Sequence, residues 1–381
     1  MKNFIIKNGI VLNQDFEFKR GDLKISGDLI VDDFSDEPDE IIDAENFYVV
    51  PGLVDIHFHG CAGYDFCDSG KKTEALKAIY DYETSAGVTT ICPATMTLPE
   101  EKLIPIMKAA RNFPGLAGIY LEGPFISKNK PGAQNPDYII EPDINFLKRL
   151  QNASGNLIKI VAIAPEVGGR LPVGNAFDFI NEAKKITRLS LAHTTCDYET
   201  AKRAFENGVG QVTHIFNAMP GIHHREPGPI IAALENPNVN VEIICDGVHI
   251  HEAVVRNTVK IFGSDRVIFI SDSMEATGMK DGDYELGGQK VIKRGNLATL
   301  EDGKTIAGSV TNLFDCVRTA AGKMKIPLET AIKCASLNPA RAIGLEKSIG
   351  SIETGKAANL VLLDKKLNLV RVIKKQVGIR K

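Results

Sequence analysis

The chain alternates short apolar runs with helix-length amphipathic segments from Val49 onward. The runs have the length of buried strands, and the segments between them have the length of crossover helices. Eight such repeats predict an α/β fold, a (β/α)8 TIM barrel. A doubly wound open sheet is the alternative, but it would gather its ligands at one switch point, whereas here polar residues end most strands. The predicted strands cover residues 53–58, 88–92, 116–121, 158–163, 188–192, 210–214, 240–245 and 266–271.

Both ends of the chain depart from this rhythm. They contain short predicted strands joined by glycine turns. We therefore predict a small β-sandwich domain built from residues 1–50 and 346–381, beside a barrel of residues 51–345. A hairpin is predicted as an insertion at Tyr284–Leu300, after the eighth barrel strand. Its turn residues are Gly287-Gly288 and Gly295-Asn296.

Composition narrows the function classes. The chain has 381 residues, of which 44% are hydrophobic, so it can bury a large core. A formal net charge of −3 argues against the clustered basic surface that binds nucleic acids. No apolar run reaches the roughly 18 residues of a membrane span, and the N-terminus is predicted to form a strand, not a signal peptide. The seven widely spaced cysteines favour reduced thiols and a cytoplasmic protein.

All eight histidines lie in a few short clusters, and several of them end an apolar run. His57 and His59 belong to the segment Pro51-Gly-Leu-Val-Asp-Ile-His57-Phe-His59-Gly60. If this segment is a strand, its period of two turns both imidazoles to one face, where they can serve as metal ligands. A strand can also carry two solvated histidines, and this pair alone leaves that alternative open.

Polar residues also end other predicted strands. The active site of a TIM barrel lies at the carboxyl ends of its strands, so these side chains are expected at one rim. Several imidazoles with two carboxylates are typical of a hydrolytic divalent-metal site that keeps a position open for water. Each of these residues, taken alone, could also be a solvated loop residue. That alternative would require such residues to occur by chance at six strand ends. The candidates are His57, His59, Glu122, His193, His214, His249 and Asp272.

The motifs around these residues resemble those of the amidohydrolase superfamily, and in particular its amino-sugar-phosphate deacetylases. The resemblance covers nearly the whole chain. Glu122-Gly-Pro, Asn217-Ala218 and Arg225-Glu-Pro-Gly narrow it to the deacetylase branch. It implies hydrolysis of the acetamide of N-acetyl-D-glucosamine 6-phosphate to D-glucosamine 6-phosphate and acetate, in amino-sugar catabolism. The other motifs are Pro51–Gly60, Leu191-Ala-His193-Thr, Val212-Thr-His214, Cys245-Asp-Gly-Val-His249, Ser271-Asp272-Ser-Met-Glu-Ala-Thr-Gly278 and Ile306-Ala-Gly-Ser309.

The resemblance also implies one or two divalent metal ions per subunit. Glu122, His193 and His214 would hold the principal ion. His57 and His59 would hold a second ion, bridged to the first by Glu122. Zinc or iron is expected, with manganese or cobalt as alternatives, because a mixed set of histidine and carboxylate ligands suits several metals.

For catalysis, the resemblance assigns Asp272 as the base that takes a proton from the attacking water and returns it to the leaving nitrogen. His249 would donate a hydrogen bond to the substrate's carbonyl oxygen. Arg225 is expected to bind the phosphate through paired hydrogen bonds, either in its own subunit or across the interface of a homodimer. Glutamine stands at position 134 where some relatives carry histidine. The remaining expected substrate contacts are Asn217, Ala218, Ala133, Gln134 and Ala307.

Two other functions stay open. Another amidohydrolase, such as a D-aminoacylase or a cyclic-amide hydrolase, would not need Arg225 or the Asn217-Ala218 pair. A non-catalytic binding module with the same fold would usually lack metal ligands, whereas this chain has the full set. Such a module should carry no stoichiometric ion.

Overall fold

The computed structural model describes residues 2–168 and 176–375. Met1 and residues 376–381 of the predicted terminal domain lie outside these ranges. The described strands are β1 (Asn3–Leu12), β2 (Phe18–Ser26), β3 (Leu29–Val31), β4 (Glu40–Asp43), β5 (Tyr48–Pro51), β6 (Leu53–Asp55), β7 (Gly60–Cys61), β8 (Tyr64–Asp65), β9 (Val88–Ile91), β10 (Ala94–Thr95), β11 (Ile119–Leu121), β12 (Ile158–Ile163), β13 (Arg188–Leu191), β14 (Val209–Val212), β15 (Asn240–Ile244), β16 (Val267–Ile270), β17 (Gly282–Leu286), β18 (Gln289–Arg294), β19 (Leu297–Leu300), β20 (Leu360–Leu363) and β21 (Leu369–Ile373).

Helices connect most of the barrel strands. The described α-helices are α1 (Ala75–Ser85), α2 (Glu100–Asn112), α3 (Ile144–Ser154), α4 (Ala176–Ala183), α5 (Tyr198–Glu206), α6 (Gly228–Glu235), α7 (Glu252–Phe262), α8 (Leu313–Gly322), α9 (Leu328–Ala335) and α10 (Leu337–Ala342). Within the described ranges, none of these helices has the length and apolar character needed to cross a membrane.

The parallel strands close into a barrel. Strands β10 to β16 pair in chain order, and β6 pairs with β9. A parallel bridge between Ile91 and Leu116 links β9, which together with β10 is the second barrel strand, to the segment before β11. The ring closes after β16, where the Asp272 N–H donates to the His57 carbonyl at 3.0 Å. These pairings confirm the predicted (β/α)8 barrel and exclude the open sheet.

The barrel strands are buried on both faces, which explains their uninterrupted apolar runs. In β12, Ile160 and Ala162 pack in one hydrophobic core, whereas Val161 and Ile163 pack in another with the surrounding helices. A charged side chain inside such a strand needs a buried partner. Strand β15 carries one such charge, Glu242, which is completely buried.

Both ends of the chain form one seven-stranded sheet in the order β21-β20-β5-β1-β2-β3, with β4 also paired to β1. Strand β20 runs antiparallel to β5, with Leu360 opposite Pro51. Buried apolar side chains give this sheet a core separate from those of the barrel. Only Gly52 separates β5 from β6, and a Cβ there would lie 2.2 Å from Thr89 Oγ1, so this junction requires glycine.

Strands β17, β18 and β19 form an antiparallel sheet inserted after the eighth barrel strand. The sequence predicts a hairpin here, whereas the structure has three strands because two tight turns reverse the chain. Leu286 pairs with Gln289, so Gly287-Gly288 is a two-residue turn in which φ is +57° and +84°. Positive φ at both positions is the reason for glycine in such turns. The Gln289 side-chain amide donates to the Ala133 carbonyl, which ties the insertion to the site described below.

Glu83 should make the stability of this fold depend on pH. Its side chain in α1 is fully buried, and neither carboxyl oxygen has a hydrogen-bond partner within residues 2–168 and 176–375. Burial, and then the nearby charge of Asp55, raise the pKa of Glu83 from an ordinary value of 4.5 to about 8. The folded state therefore keeps a proton that the unfolded chain loses, so the free energy of unfolding falls as pH rises between these values.

We therefore expect Glu83→Gln to be more stable than the parent at pH 8.5, by on the order of 3 kcal/mol, and almost equal to it at pH 4.5. Denaturant-induced unfolding of both proteins, at equal metal content and across this pH range, measures the difference. A variant whose stability changed with pH as steeply as the parent's would show that Glu83 ionises normally in the fold.

Candidate metal centre and substrate pocket

A cavity of about 430 Å³ lies at the carboxyl ends of the barrel strands. His57 is fully buried and contacts the lining residue Glu122. Ala307 is fully buried between the lining residues Ile306 and Gly308, and Arg225 does not line the cavity. The other predicted site residues all line it, and they are His59, Glu122, Ala133, Gln134, His193, His214, Asn217, Ala218, His249 and Asp272.

The first histidine pair lies in a loop. Strand β6 ends at Asp55, so the prediction that His57 and His59 project from one face of a strand is wrong. The chain leaves the sheet early because the loop pairs with the segment after β16, where the His59 N–H donates to the Ser273 carbonyl at 2.7 Å. This loop, not strand periodicity, brings the two imidazoles together.

Three of the predicted metal-binding and catalytic residues have left-handed backbone conformations. The φ angles of His193, His214 and Asp272 are +44°, +27° and +49°. Non-glycine residues with positive φ cost on the order of 1–3 kcal/mol each and persist only where the surroundings hold them. Backbone hydrogen bonds do so here, from Ser309 N–H to the Asp272 carbonyl at 2.6 Å and from Ser127 N–H to the His193 carbonyl at 2.9 Å.

Glu122 stands at the centre of four imidazoles. Its Oε1 lies 3.0 Å from His214 Nε2, 3.3 Å from His193 Nε2 and 3.3 Å from His57 Nε2. Its Oε2 lies 3.1 Å from His59 Nε2. A single carboxylate with four ring nitrogens around it, all buried, is the arrangement expected of a bridging metal ligand.

Two groups of side chains can each hold a metal ion. His57, His59 and Asp272 form one group, and Glu122, His193 and His214 form the other. Within each group the ligand atoms lie within 4.8 Å of one another. Among the described residues, the buried His57 Nε2 has no hydrogen-bond partner, so it is free to bind a cation. This mixed set of imidazole and carboxylate ligands fits divalent transition metals.

The orientation of the rings is set by groups behind them. His193 Nδ1 lies 2.9 Å from the Lys130 carbonyl, which can only accept a hydrogen bond. His57 Nδ1 lies 2.9 Å from Glu242 Oε2. A proton held on Nδ1 leaves the Nε2 lone pair directed at the metal positions. Glu242 was not predicted from the sequence, although a glutamate inside the apolar run of β15 is a signal that could have identified it.

Asp272 and His59 shift each other's ionisation. Burial opposes a charge on His59, but hydrogen bonds to Asp272 and Glu122 outweigh burial and raise its pKa to about 10. Burial also opposes ionisation of Asp272, whereas the hydrogen bond from His59 and the charge on His57 lower its pKa. Asp272 is therefore ionised at neutral pH, as a proton acceptor must be.

His249 is anchored by Asp246. His249 Nδ1 lies 2.7 Å from Asp246 Oδ2, and the backbone N–H groups of Val248 and His249 donate to Asp246 Oδ1 at 2.9 and 3.0 Å. Burial disfavours the charged form of His249, but Asp246 outweighs this effect and raises the pKa of the imidazole. With Nδ1 donating to Asp246, Nε2 also carries a proton to donate in the charged form of the ring, which the raised pKa favours. Asp246 belongs to the Cys245-Asp-Gly-Val-His249 motif, but no role was predicted for it from the sequence.

Gln134 contacts the metal-binding carboxylate. Its side-chain amide donates to Glu122 Oε2 at 2.6 Å, and its carbonyl oxygen accepts from the Thr97 N–H at 2.7 Å. Both ends of the amide are thus occupied within the protein. The structure places Gln134 against a metal ligand, while its predicted contact with substrate stays a prediction.

The predicted phosphate-binding residues are divided between the cavity and the surface. Asn217 and Ala218 line the cavity, and the Asn217 side chain donates to the His214 carbonyl at 3.2 Å. Arg225 lies in an exposed loop, where its Nη1 is 2.7 Å from His224 Nε2. Lys130 also lines the cavity. It was not predicted as a site residue, because in the sequence it cannot be distinguished from a solvated loop lysine.

Comparisons with known proteins match this geometry. Residues 48–379 match the amidohydrolase family model. N-acetylglucosamine-6-phosphate deacetylase of Bacillus subtilis is 31% identical over 388 residues, which cover 98% of this chain and 96% of the relative. The enzyme of the same name from Vibrio furnissii is 35% identical over 321 residues, covering 82% of this chain and 78% of the relative.

A solved structure agrees with the sequence relatives. It is a mutant N-acetyl-D-glucosamine-6-phosphate deacetylase of Mycobacterium smegmatis in complex with N-acetyl-D-glucosamine-6-phosphate. It is 30% identical, covers 98% of this chain and 97% of that chain, and gives a TM-score of 0.88.

The chain therefore belongs to the amidohydrolase family, whose metal dependence agrees with the two ligand groups found here. The two relatives described above are both named N-acetylglucosamine-6-phosphate deacetylase. The family predicted from the motifs is confirmed.

Proposed function

We propose that this chain hydrolyses the acetamide of N-acetyl-D-glucosamine 6-phosphate, releasing D-glucosamine 6-phosphate and acetate, in the cytoplasm. The observation that carries the proposal is Glu122 surrounded by four imidazole Nε2 atoms, with Asp272 beside them in one cavity. The names of the relatives and the substrate bound in the Mycobacterium smegmatis structure support the choice of substrate.

We propose that one or two divalent ions bind, with zinc or iron favoured and manganese or cobalt as alternatives. Glu122, His193 and His214 would hold the principal ion. His57 and His59 would hold the second, with Glu122 between the two. A bound ion would act as a Lewis acid that makes water more acidic and polarises the amide carbonyl.

The side chains supply the proton transfers. Asp272, ionised and adjacent to His59, takes a proton from the water that attacks the carbonyl carbon, and then gives it to the nitrogen as the C–N bond breaks. His249 donates a hydrogen bond from Nε2 to the carbonyl oxygen as negative charge develops there. Asp246 supports this role because it fixes the ring from the opposite side.

The phosphate requires donors at the other end of the cavity. Asn217, Ala218, Ala133, Gln134 and Ala307 are proposed to surround the substrate, with Lys130 adding a positive charge from the same chain. Arg225 is proposed to reach the phosphate from the partner subunit of a homodimer. Its exposure and its position outside the cavity are consistent with this arrangement.

Parallel deacetylation assays on phosphorylated and unphosphorylated N-acetylglucosamine, with metal content measured in the same sample, test the proposed function. We expect stoichiometric metal and strong preference for the phosphorylated substrate. Equal rates with both substrates would favour another amidohydrolase, such as a D-aminoacylase or a cyclic-amide hydrolase. Protein without metal or activity would favour a binding module.

Arg225→Ala should lower kcat/KM for N-acetylglucosamine 6-phosphate by about 10- to 100-fold, mainly through KM. The lost contact is charge-assisted and contributes about 1.5–3 kcal/mol. The slow reaction with unphosphorylated N-acetylglucosamine should hardly change, and steady-state kinetics on both substrates measures the difference. An equal loss with both substrates would separate Arg225 from the phosphate.

Mixing Arg225→Ala protein with an Asp272→Asn variant tests whether the arginine crosses the subunit boundary. In a hybrid dimer, one site would combine the intact Asp272 of one subunit with the intact Arg225 of the other, so activity should reappear. Hybrids shown to have exchanged subunits, yet no more active than the separate variants, would assign Arg225 to its own subunit's site.

A further inference from the structure

We infer that Glu242 is a positioning residue that holds His57 as a ligand and thereby determines whether the centre retains a second metal ion. This inference rests on the proposed two-ion site. Glu242 lies within β15, inside the barrel wall, and its side chain is completely buried. Glu242 does not itself line the cavity, so any effect on the metal must pass through the residues that it contacts.

The carboxylate of Glu242 is held from several directions. Its Oε2 lies 2.9 Å from His57 Nδ1 and 3.4 Å from the backbone N–H of His214. Its Oε1 accepts a hydrogen bond from the side-chain amide of Gln211. A buried carboxylate is very costly unless it is paired and hydrogen-bonded, so these contacts define one orientation of Glu242 and of the imidazole attached to it.

The pairing dictates what His57 can do. Carboxylate oxygens accept hydrogen bonds, so His57 Nδ1–H donates to Glu242 Oε2. The His57 Nε2 lone pair then faces Glu122 Oε1 at 3.3 Å and Asp272 Oδ1 at 3.8 Å. The ring packs against Tyr120 at a tilt, with 4.4 Å between the ring centroids and 39° between the ring planes. The imidazole is therefore fixed with its free nitrogen towards the second metal position.

The other histidine ligands lack this support. His193 Nδ1 faces the neutral carbonyl of Lys130. Nδ1 of His59 and Nδ1 of His214 have no hydrogen-bond partner among the described residues. Within the described ranges, only His57 thus has a carboxylate behind a ligand of the two metal groups. A carboxylate there makes the imidazole a stronger ligand and adds negative charge near a second cation.

Replacing Glu242 is expected to affect the second ion and not the principal ion. Replacing an outer partner of a metal-binding histidine typically lowers metal affinity about 10- to 100-fold. We expect Glu242→Leu to weaken binding of the second ion by this factor and to leave the principal ion unchanged. Glu242→Gln should weaken the second ion less, because its amide oxygen still accepts the His57 Nδ1 hydrogen bond while the charge is lost.

The test is zinc binding by equilibrium dialysis, with zinc per chain measured by elemental analysis across a range of free zinc. The parent should show two binding steps, and the Glu242 variants should show a normal first step and a weakened second step. Glu83→Gln, which removes another buried carboxylate away from the centre, should bind zinc as the parent does. Circular dichroism shows whether each variant folds. If Glu242→Leu does not fold, zinc binding by Glu242→Gln tests the inference.

A double variant separates positioning from general damage. His57→Ala should lose the second step by itself, and adding Glu242→Leu should weaken zinc binding no further, because Glu242 acts through His57. If both Glu242 variants showed a normal second step, the inference about Glu242 would be wrong, while the two-ion proposal would stand. Equal weakening of both steps would assign Glu242 a structural role and also overturn the inference. A parent with a single step in excess zinc would contradict the two-ion proposal, and this inference with it.

Discussion

The Asp272→Asn variant is expected to keep its fold and its metal while losing about 10²- to 10⁴-fold in turnover. The substitution preserves shape, but an amide cannot take the proton of the attacking water or return it to the leaving nitrogen. Asp272 Oδ1 lies 3.3 Å from His59 Nε2, in the same cavity as His249. Deacetylation of N-acetylglucosamine 6-phosphate, measured with the metal content of each sample, gives the result.

Glu83→Gln is the control for Asp272→Asn, because it also exchanges a buried carboxyl group for an amide but lies away from the cavity. Its turnover should equal the parent's. Fully metal-loaded Asp272→Asn protein with activity within about tenfold of the parent would exclude Asp272 as the base. If the variant lost an ion together with its activity, Asp272 would be chiefly a metal ligand.

His193→Ala should lose the principal ion, and deacetylation should fall below detection with it. His193, His214 and Glu122 form one ligand group, so removing one imidazole leaves too few ligands to retain the ion. The matched variant is His57→Ala, which should keep one ion because His57 belongs to the other group. Elemental analysis after dialysis into buffer without added metal measures both.

Together, the two histidine variants test which ligand group holds the principal ion and which holds the second ion. Loss of all metal from His57→Ala, with metal retained by His193→Ala, would reverse the principal and second positions. Parent-like metal content in both variants would show that neither histidine is essential for holding an ion.

The barrel and most residues of its metal centre could be predicted from the sequence because both follow from the burial of the barrel strands. Strands covered on both faces must be apolar, so the point where polarity returns marks the mouth of the barrel. Glu122, His193, His214 and Asp272 all stand at such points, and the structure brings them together. The terminal strands were predicted from short apolar runs joined by glycine turns, and in the structure those of both chain ends pair in one sheet.

Other features depend on contacts between distant segments, which no local pattern encodes. The pairing of Glu242 with His57 joins residues 185 positions apart. The loop that carries His57 leaves its strand early because it pairs with residues after β16. Gln134 contacts Glu122 instead of extending into open space, and only the folded loop shows this. The location of Arg225 relative to a second subunit is a property of two chains, so neither a single sequence nor a single chain displays it.

The pairing of β20 with β5 also sets an order of events during synthesis. Strand β5 continues through Gly52 into β6 and then to His57 and His59, and its edge is covered only when residues 360–363 have left the ribosome. Until then the nascent chain exposes an unpaired strand next to half of its metal centre. The strand that leads to the first two histidines is therefore completed only by residues that are translated long after them.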